Sequence, residues 1–220
     1  MLYIVEYPRK SEYAEAAIIQ VEHDYERIER CPLCQSYVSG AYWTHPREVV
    51  LTRHNAPDFL YAYCDNVPFV VSEKVLNVIK NEGLFGLLAA EEIETVRFQR
   101  RPKQEKYLPK YYHIEVARSR MTIDHARSII KYGNRKDSCG CPLCRQIPAT
   151  YDFTRSLAFR MEEYEGFDIF QTYEMGNTLF LSQRFLDATG KWGLTNLHCT
   201  PAEKHGRNSW AYFIDGDENA

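Results

Sequence analysis

The sequence lacks the features that mark secreted, membrane-spanning and disordered proteins. No apolar run of about seven residues follows a basic start at the N-terminus, so we expect no signal peptide. No stretch approaches the roughly 18 apolar residues that cross a bilayer. Glycine and proline, at 11 and 10 of 220 residues, are too few to indicate disorder. These absences predict a globular cytoplasmic protein with a substantial hydrophobic core.

The sequence also lacks an excess of basic residues and any familiar catalytic motif. Its formal net charge of -3 is unlike that of most nucleic-acid-binding proteins. There is no GxSxG, HExxH, P-loop or GxGxxG pattern. An enzyme of another type would have His198 and Asp124 as candidate acid or base groups, although we expect structural roles for both. The sequence therefore favours a protein without enzymatic activity.

What the sequence does contain is seven cysteines, four of which form two identical Cys-Pro-Leu-Cys motifs, Cys31–Cys34 and Cys141–Cys144. In a reducing compartment, closely paired cysteines bind metal or carry out redox chemistry. A Cys-x2-Cys turn directs both thiolates at one centre, and a second turn completes a tetrahedral shell around Zn2+. We predict one structural zinc ion per chain, held by these four cysteines with no open position for catalysis.

The cysteines could also serve other purposes. A redox dithiol should open a helix after a strand, and a second copy has no purpose there. Two separate metal sites would each need histidines, but His45 and His113 lack a suitable ligand spacing. Cys139 could replace one of the four ligands. Cys64 and Cys199 lie in apolar stretches and are expected to be small core residues.

An internal repeat relates the two motifs. Sliding the sequence along itself by 110 residues superposes them, and 12 of the 60 positions from 31 to 90 are then identical. Unrelated segments would match at about one position in fifteen. We predict an α+β fold of two duplicated halves, residues 1–110 and 111–220. The zinc ion would join the two motifs near a pseudo-twofold axis.

Each predicted half contains the same local pattern. The apolar runs 69–71 and 179–181 predict buried strands. Ser72 and Ser182 follow directly, and each is expected to cap a helix by accepting a hydrogen bond from a free backbone N–H. The sequence therefore predicts a strand followed at once by a helix in both halves.

The two predicted helices end at equivalent glycines, and another strand is expected after each. The apolar residues at helical spacing are Val75, Leu76 and Ile79 in the first half and Phe185, Leu186 and Ala188 in the second. Gly83 and Gly193 are expected to end the helices in the left-handed conformation. Residues 93–98 alternate as a strand does, and residues 195–199 are a weaker counterpart.

A basic segment, residues 97–110, lies between the halves, with six basic residues against one acid. We interpret it as a solvated strand end and linker. The alternative is a zinc-ribbon protein that binds nucleic acid or acts as a regulator. In that alternative the phosphate contacts would come from Arg97, Arg100, Arg101 and Lys103.

An acidic segment in the second half is a candidate surface for a protein partner. Residues 151–190 carry seven acids and three bases. Such a run is usually a solvated face, but it would also suit a basic partner. The residues predicted to bind a partner are Glu162, Glu163, Tyr164, Glu165 and Asp168. Tyr107, Tyr111 and Tyr112 are further aromatic candidates for the surface.

Taken with the paired cysteines, the phrases FVVSEKVLNVIKNEGLFG (69–86) and LFLSQRFLDATGKWGLTN (179–196) resemble the double-CxxCG-motif immunity protein family. The glycine that completes the family motif is replaced by Gln35 and Arg145; that glycine serves turn geometry rather than ligation. The resemblance implies a protein that binds a cognate toxin delivered between bacteria and so protects its own cell. It implies no enzymatic activity and a toxin protein as partner.

Overall fold

The computed structural model describes residues 1–6, 13, 15–19, 26, 28–38, 43–63, 69–100, 107–132, 140–144 and 151–205. Within these residues the protein is α+β, as predicted. Its elements in chain order are β1 (Leu2–Val5), β2 (Ala16–Ile19), β3 (Glu48–Leu51), β4 (Phe59–Leu60), β5 (Ala62–Tyr63), β6 (Val70–Ser72), α1 (Glu73–Asn81), β7 (Leu87–Glu92), β8 (Thr95–Phe98), β9 (Tyr111–Ser119), β10 (Ile129–Tyr132), β11 (Tyr151–Ser156), β12 (Ile169–Thr172), β13 (Phe180–Ser182), α2 (Gln183–Trp192) and β14 (Cys199–Pro201).

The largest sheet has eight strands in the order β14-β1-β13-β12-β9-β6-β4, with β7 also paired to β9. Its pairs are antiparallel except β12 with β9. The long strand β9 pairs with β6 and β7 near its start and with β12 at its end. A second sheet has the order β5-β2-β3-β8, and β10 pairs with β11. Because β9 pairs at both ends, it makes one sheet of strands from both predicted halves.

Both faces of the large sheet are buried. The two helices cover one face, where Val71 and Leu181 pack among buried helix residues. On the opposite face, Val70 packs against the second sheet, and Phe180 packs in a separate cluster with Met121. Strands buried on both sides need apolar residues at successive positions, which explains the continuous runs in the sequence.

The predicted helices are confirmed, with one correction at their starts. Ser182 caps α2 by accepting a hydrogen bond from the Phe185 N–H at 3.1 Å. Ser72 makes no capping hydrogen bond to α1, although its hydroxyl donates to Asp58 at 2.7 Å just as the Ser182 hydroxyl donates to Asp168 at 2.6 Å. Gly83 and Gly193 have φ values of 59° and 57° at the helix ends, as predicted. A residue with a Cβ would be strained in this conformation.

The predictions for the strands after the helices were partly wrong. Residues 95–98 do form β8, but it lies in the second sheet beside β3. Of residues 195–199, only Cys199 belongs to a strand, β14. The strand that follows α1 in the large sheet is β7, which the sequence analysis missed. Its sequence, LLAAEE, has little intrinsic strand preference, so its pairing with β9 determines its conformation.

Equivalent contacts occur at positions offset by 110 residues in the large sheet. Asp58 accepts the Ser72 hydroxyl at 2.7 Å, and Asp168 accepts the Ser182 hydroxyl at 2.6 Å. Each carboxylate also reaches the segment after the other helix: Asp58 binds the Thr195 N–H, and Asp168 the Phe85 N–H, both at 2.9 Å. Origin by duplication and a boundary at residue 110 stay predictions; strand β1 pairs with β13 and β14 across that boundary.

Candidate metal centre

The first cysteine motif lies at the tip of a hairpin formed by residues 29–38. The Val38 N–H donates to the Glu29 carbonyl at 2.9 Å, and the Cys31 N–H donates to the Ser36 carbonyl at 2.8 Å. The guanidinium of Arg30 lies 4.1 Å from the centroid of the Tyr37 ring on the next strand of the hairpin. Backbone pairing thus fixes the turn independently of any ligand.

Gln35, where the motif that the sequence resembles would have glycine, has a left-handed backbone. Its φ is 61°, and its N–H donates to the Cys31 carbonyl at 2.9 Å, which closes the turn. A non-glycine residue in this conformation costs about 1 kcal/mol. A glycine at this position would therefore meet a conformational need and would not be required for ligation. Arg145, the equivalent in the second motif, lies outside the described residues.

The four predicted cysteines lie together in one site. Their sulfur atoms are all within 4.8 Å of one another, with Cys31 to Cys141 at 3.7 Å and Cys34 to Cys144 at 3.4 Å. A disulfide would need about 2.05 Å. Four thiolates about 2.3 Å from a tetrahedral zinc ion would lie roughly 3.8 Å apart, close to these separations. The arrangement therefore fits a four-coordinate metal ion.

Burial and backbone N–H groups act together on the thiols. Burial raises the pKa of Cys31, although the backbone N–H groups of Cys34 and Leu33 donate to its sulfur. At Cys141 burial also acts to raise the pKa, but the N–H groups of Cys144 and Leu143 and the neighbouring thiols outweigh it, so this pKa is lowered. Each motif therefore presents N–H donors to its first sulfur, as a metal-bound thiolate requires.

The cluster is closed on most sides. Cys31 and Cys144 have no exposed surface, and Cys141 is 6% exposed. Val38 belongs to the same buried cluster as the cysteines, and the partly buried Tyr173 packs against that cluster. A metal ion bound by all four thiolates would have no position left for water, and such closed sites are structural rather than catalytic. Cys139 and Cys64 lie outside the described residues, and Cys199 is half-buried in β14.

The acidic segment predicted to bind a partner is largely engaged within the chain. Asp168 is 4% exposed and pairs with Arg184 at 2.9 Å, so its assignment to an exposed patch is wrong. Glu163 accepts the Thr122 N–H at 3.0 Å, and Glu165 accepts the Arg120 N–H at 2.9 Å.

The two remaining residues of that segment differ: the Tyr164 ring is packed, and the Glu162 carboxylate is exposed. The Tyr164 ring packs against Phe170, and burial raises the pKa of Tyr164 to about 12. Glu162 is exposed, beside Met161 at 50% exposure. The part of the predicted patch that a partner can reach therefore consists of Glu162 and Glu165, both of which are exposed.

The residues of the alternative functions have local roles. Arg97 pairs with Glu48 on the neighbouring strand at 2.6 Å, while Arg101 and Lys103 lie outside the described residues. Asp124 accepts backbone N–H bonds from Ala126 and Arg127 in a turn. Burial lowers the pKa of the His198 imidazole, and the His198 backbone N–H donates to the Tyr61 hydroxyl at 3.0 Å. The Asp124 carboxylate thus stabilises a turn, as expected, whereas a structural role for the His198 imidazole stays a prediction.

An open groove of about 700 Å³ runs beside α1. Its lining includes Lys74, Asn77 and Lys110, with Tyr107 and Trp192 at its rim. Tyr107 is 85% exposed, as predicted, and Trp192 is 41% exposed. Tyr111, in contrast, is fully buried, so its prediction as a surface residue is wrong. The groove presents exposed aromatic rings among polar side chains.

Two groups with organising roles were not predicted from the sequence. Asp58 is partly buried and falls on Asp168 at the 110-residue offset, and this identity is the signal for a shared structural role. Arg118 was not noticed at all; its side chain is 5% exposed and bonds Glu29 of the hairpin at 2.7 Å. It is a single arginine whose partners are distant in sequence, so no local pattern marks it.

Comparison with known proteins supplies the family. Neither helix in the described part of the chain is long and apolar enough to cross a membrane. The chain matches no curated protein. Residues 52–204, well over half of the 220 residues, match the model of a family described as Immunity protein family (Imm11). The matched span includes Cys141 and Cys144 but begins after Cys31 and Cys34. The chain belongs to the immunity protein family Imm11.

Proposed function

We propose that this chain binds and neutralises a cognate toxin domain delivered between bacteria, and thereby protects the cell that makes it. The family match over residues 52–204 carries the proposal, because an immunity protein implies a toxin against which it acts. Purification together with the product of the adjacent reading frame tests it directly. A stable complex, and survival of toxin-expressing cells only when this chain is present, are the expected results.

We propose that this chain neutralises the toxin by staying bound to it, one molecule to one, and not by a catalysed reaction. Immunity protein families are generally not enzymes, and the cysteine cluster has the closed form of a structural site. Titrating toxin activity with increasing amounts of this chain separates the two mechanisms. An occupying inhibitor loses effect below one equivalent, whereas complete protection at a small fraction of an equivalent would refute this mechanism.

We further propose that the cysteine cluster binds one structural zinc ion. The support is the set of sulfur separations, all within 4.8 Å, and the N–H donors directed at Cys31 and Cys141. Thiolate ligands favour zinc among the common structural metals. Elemental analysis of protein prepared without chelator should give one zinc per chain. Two ions or none would contradict the shared site.

The toxin surface is proposed to include the rim of the groove beside α1. Exposed tryptophan and tyrosine are favoured at interface centres, and Trp192 and Tyr107 meet this description. Glu162 belongs to the competing acidic surface. Trp192→Ala with Tyr107→Ala should weaken toxin binding at least tenfold, while Glu162→Lys should not. The opposite pattern would assign the toxin to the acidic surface.

The site of action is proposed to be the cytoplasm. None of the five cysteines of the described residues forms a disulfide, which suits a reducing compartment. Cell fractionation of the natural host, with a cytoplasmic marker as control, checks this. Recovery of the chain with an extracytoplasmic fraction would contradict it.

A further inference from the structure

Arg118 is a buried cation that the metal centre itself does not use. It lies near the end of β9, with a side chain 5% exposed. Its Nε donates to Glu29 Oε2 at 2.7 Å, and its two terminal nitrogens donate to the Thr172 carbonyl at 2.8 Å and to Gln171 Oε1 at 3.1 Å. All three guanidinium nitrogens are therefore bound, as a buried charge requires.

These bonds join three separate parts of the chain. Glu29 begins the hairpin that carries Cys31 and Cys34. Thr172 ends β12, and Gly176, whose carbonyl accepts from Arg118 at 3.1 Å, lies in the connection from β12 to β13. Arg118 itself belongs to β9. One side chain therefore holds the hairpin and this connection against the large sheet.

The connection from β12 to β13 touches the hairpin and the cysteine cluster directly. Tyr173 packs against the buried cluster of Val38 and the cysteines, and the Arg118 guanidinium lies 5.7 Å from the centroid of the Tyr173 ring. A Cβ on Gly176 would lie 1.7 Å from the Val38 carbonyl oxygen. The two backbones thus meet so closely that only glycine fits, and the position of the hairpin is fixed.

We propose that Arg118 is a positioning residue for the metal centre: through Glu29, Tyr173 and Gly176 it holds the hairpin of Cys31 and Cys34 in the place where the metal needs it. The inference rests on the proposed metal site. Metal binding costs less conformational entropy when two ligands are already fixed. Groups outside the ligand shell of a metal contribute about 10- to 100-fold in metal affinity.

The test uses zinc alone as the probe and the whole chain as the protein. Zinc affinity is measured by competition with a chromogenic chelator for the wild type, Arg118→Met and Arg118→Lys. Arg118→Met should weaken zinc affinity about 10- to 100-fold. The zinc affinity of Arg118→Lys should lie between those of the wild type and Arg118→Met. An ammonium can keep the ion pair with Glu29 but cannot make the forked hydrogen bonds to the carbonyls. Arg127→Met, at a guanidinium 75% exposed, is the control and should not change affinity.

A second measurement separates positioning from general stability. A purely structural arginine would lower the melting temperatures of apo and zinc-loaded protein equally and leave zinc affinity unchanged; that result would overturn the proposal. Loss of a positioning residue lowers the melting temperature of the zinc-loaded protein more than that of the apo protein. If Arg118→Met does not fold, Glu29→Gln replaces it in the test and should weaken zinc binding several-fold. Unchanged zinc affinity in both Glu29→Gln and Arg118→Lys would also overturn the proposal. A wild-type chain that binds no zinc would instead refute the metal site itself.

Discussion

His113 is a buried histidine for which protonation in the folded protein is costly. It lies in β9 opposite Glu91, is 3% exposed, and contacts the Trp43 ring edge-on at a centroid distance of 5.9 Å. Neither ring nitrogen has a hydrogen-bond partner within the described structure. Burial lowers the pKa of His113 from 6.5 to about 4, and the cations Arg47 and His45 add to this, while Glu91 opposes it.

The effect on stability follows from the two pKa values. Above about pH 6.5 His113 is neutral in both the folded and the unfolded chain, so it contributes no pH dependence. As the pH falls from 6.5 towards 4, the unfolded chain binds a proton that the folded protein does not, and folding becomes less favourable. At about 1.4 kcal/mol per pKa unit, the loss reaches about 3 kcal/mol near pH 4.

His113→Phe isolates this contribution. The ring is kept, its unpartnered nitrogens are removed, and nothing at this position titrates. Urea unfolding of both proteins between pH 7 and pH 4 should show the free energy of unfolding diverging by about 3 kcal/mol in favour of the variant. Loss of metal in acid and the titration of His198 and His205 affect both proteins alike. Parallel pH curves would refute the reasoning, and His113→Leu repeats the test if the phenylalanine does not pack.

Three further changes test the backbone, the buried aspartate and the metal. Gly193→Ala should lower the free energy of unfolding by about 1 kcal/mol because φ is 57°, whereas Gly190→Ala within α2 should raise it by up to about 1 kcal/mol. Both positions have room for a methyl group, so the backbone conformation alone distinguishes them. Urea unfolding midpoints that shift in the same direction for both variants would be inconsistent with this. Asp168→Ala should lower the free energy of unfolding by about 3 kcal/mol, because Ser182 and Arg184 lose their shared partner. The control Glu162→Ala should lower it by less than about 0.5 kcal/mol. Thermal melts measure both, and equal losses of stability would show that the Asp168 carboxylate is not structural. Chelation should release one zinc per chain and strongly lower the melting temperature, because closed zinc sites contribute on the order of 10 kcal/mol to folding. An unchanged melting temperature would rule out a structural metal.

The cysteine cluster could be predicted from the sequence because its signal is local and occurs twice. Each Cys-Pro-Leu-Cys motif specifies its own turn, and the repeat indicates that the two turns meet. The same repetition located β6 with α1 and β13 with α2, since continuous apolar runs, serines and glycines mark both places. Local rules thus determine these elements without knowledge of the tertiary structure.

Strand β7 and Asp168 could not be assigned by local rules. Leu87–Glu92 has a composition that suits a helix as well as a strand, and the available edge of β9 decides between them. Asp168 stands in an acidic run that suggests a solvated face, yet Ser182, Arg184 and the Phe85 N–H surround its carboxylate. Its identity with Asp58 at the repeat spacing carried the relevant information.

The region that matches the family model depends on residues that precede it. The match begins at residue 52, but β1 lies between β13 and β14 in the large sheet, and Cys31 and Cys34 complete the cluster begun by Cys141 and Cys144. Arg118 lies within the matched span, and its partner Glu29 does not. Without the hairpin, a buried guanidinium would lose its carboxylate, and a pair of thiols would lose the other half of their ligand set. The matched residues therefore cannot reproduce this fold alone, and the cysteine cluster belongs to the whole chain.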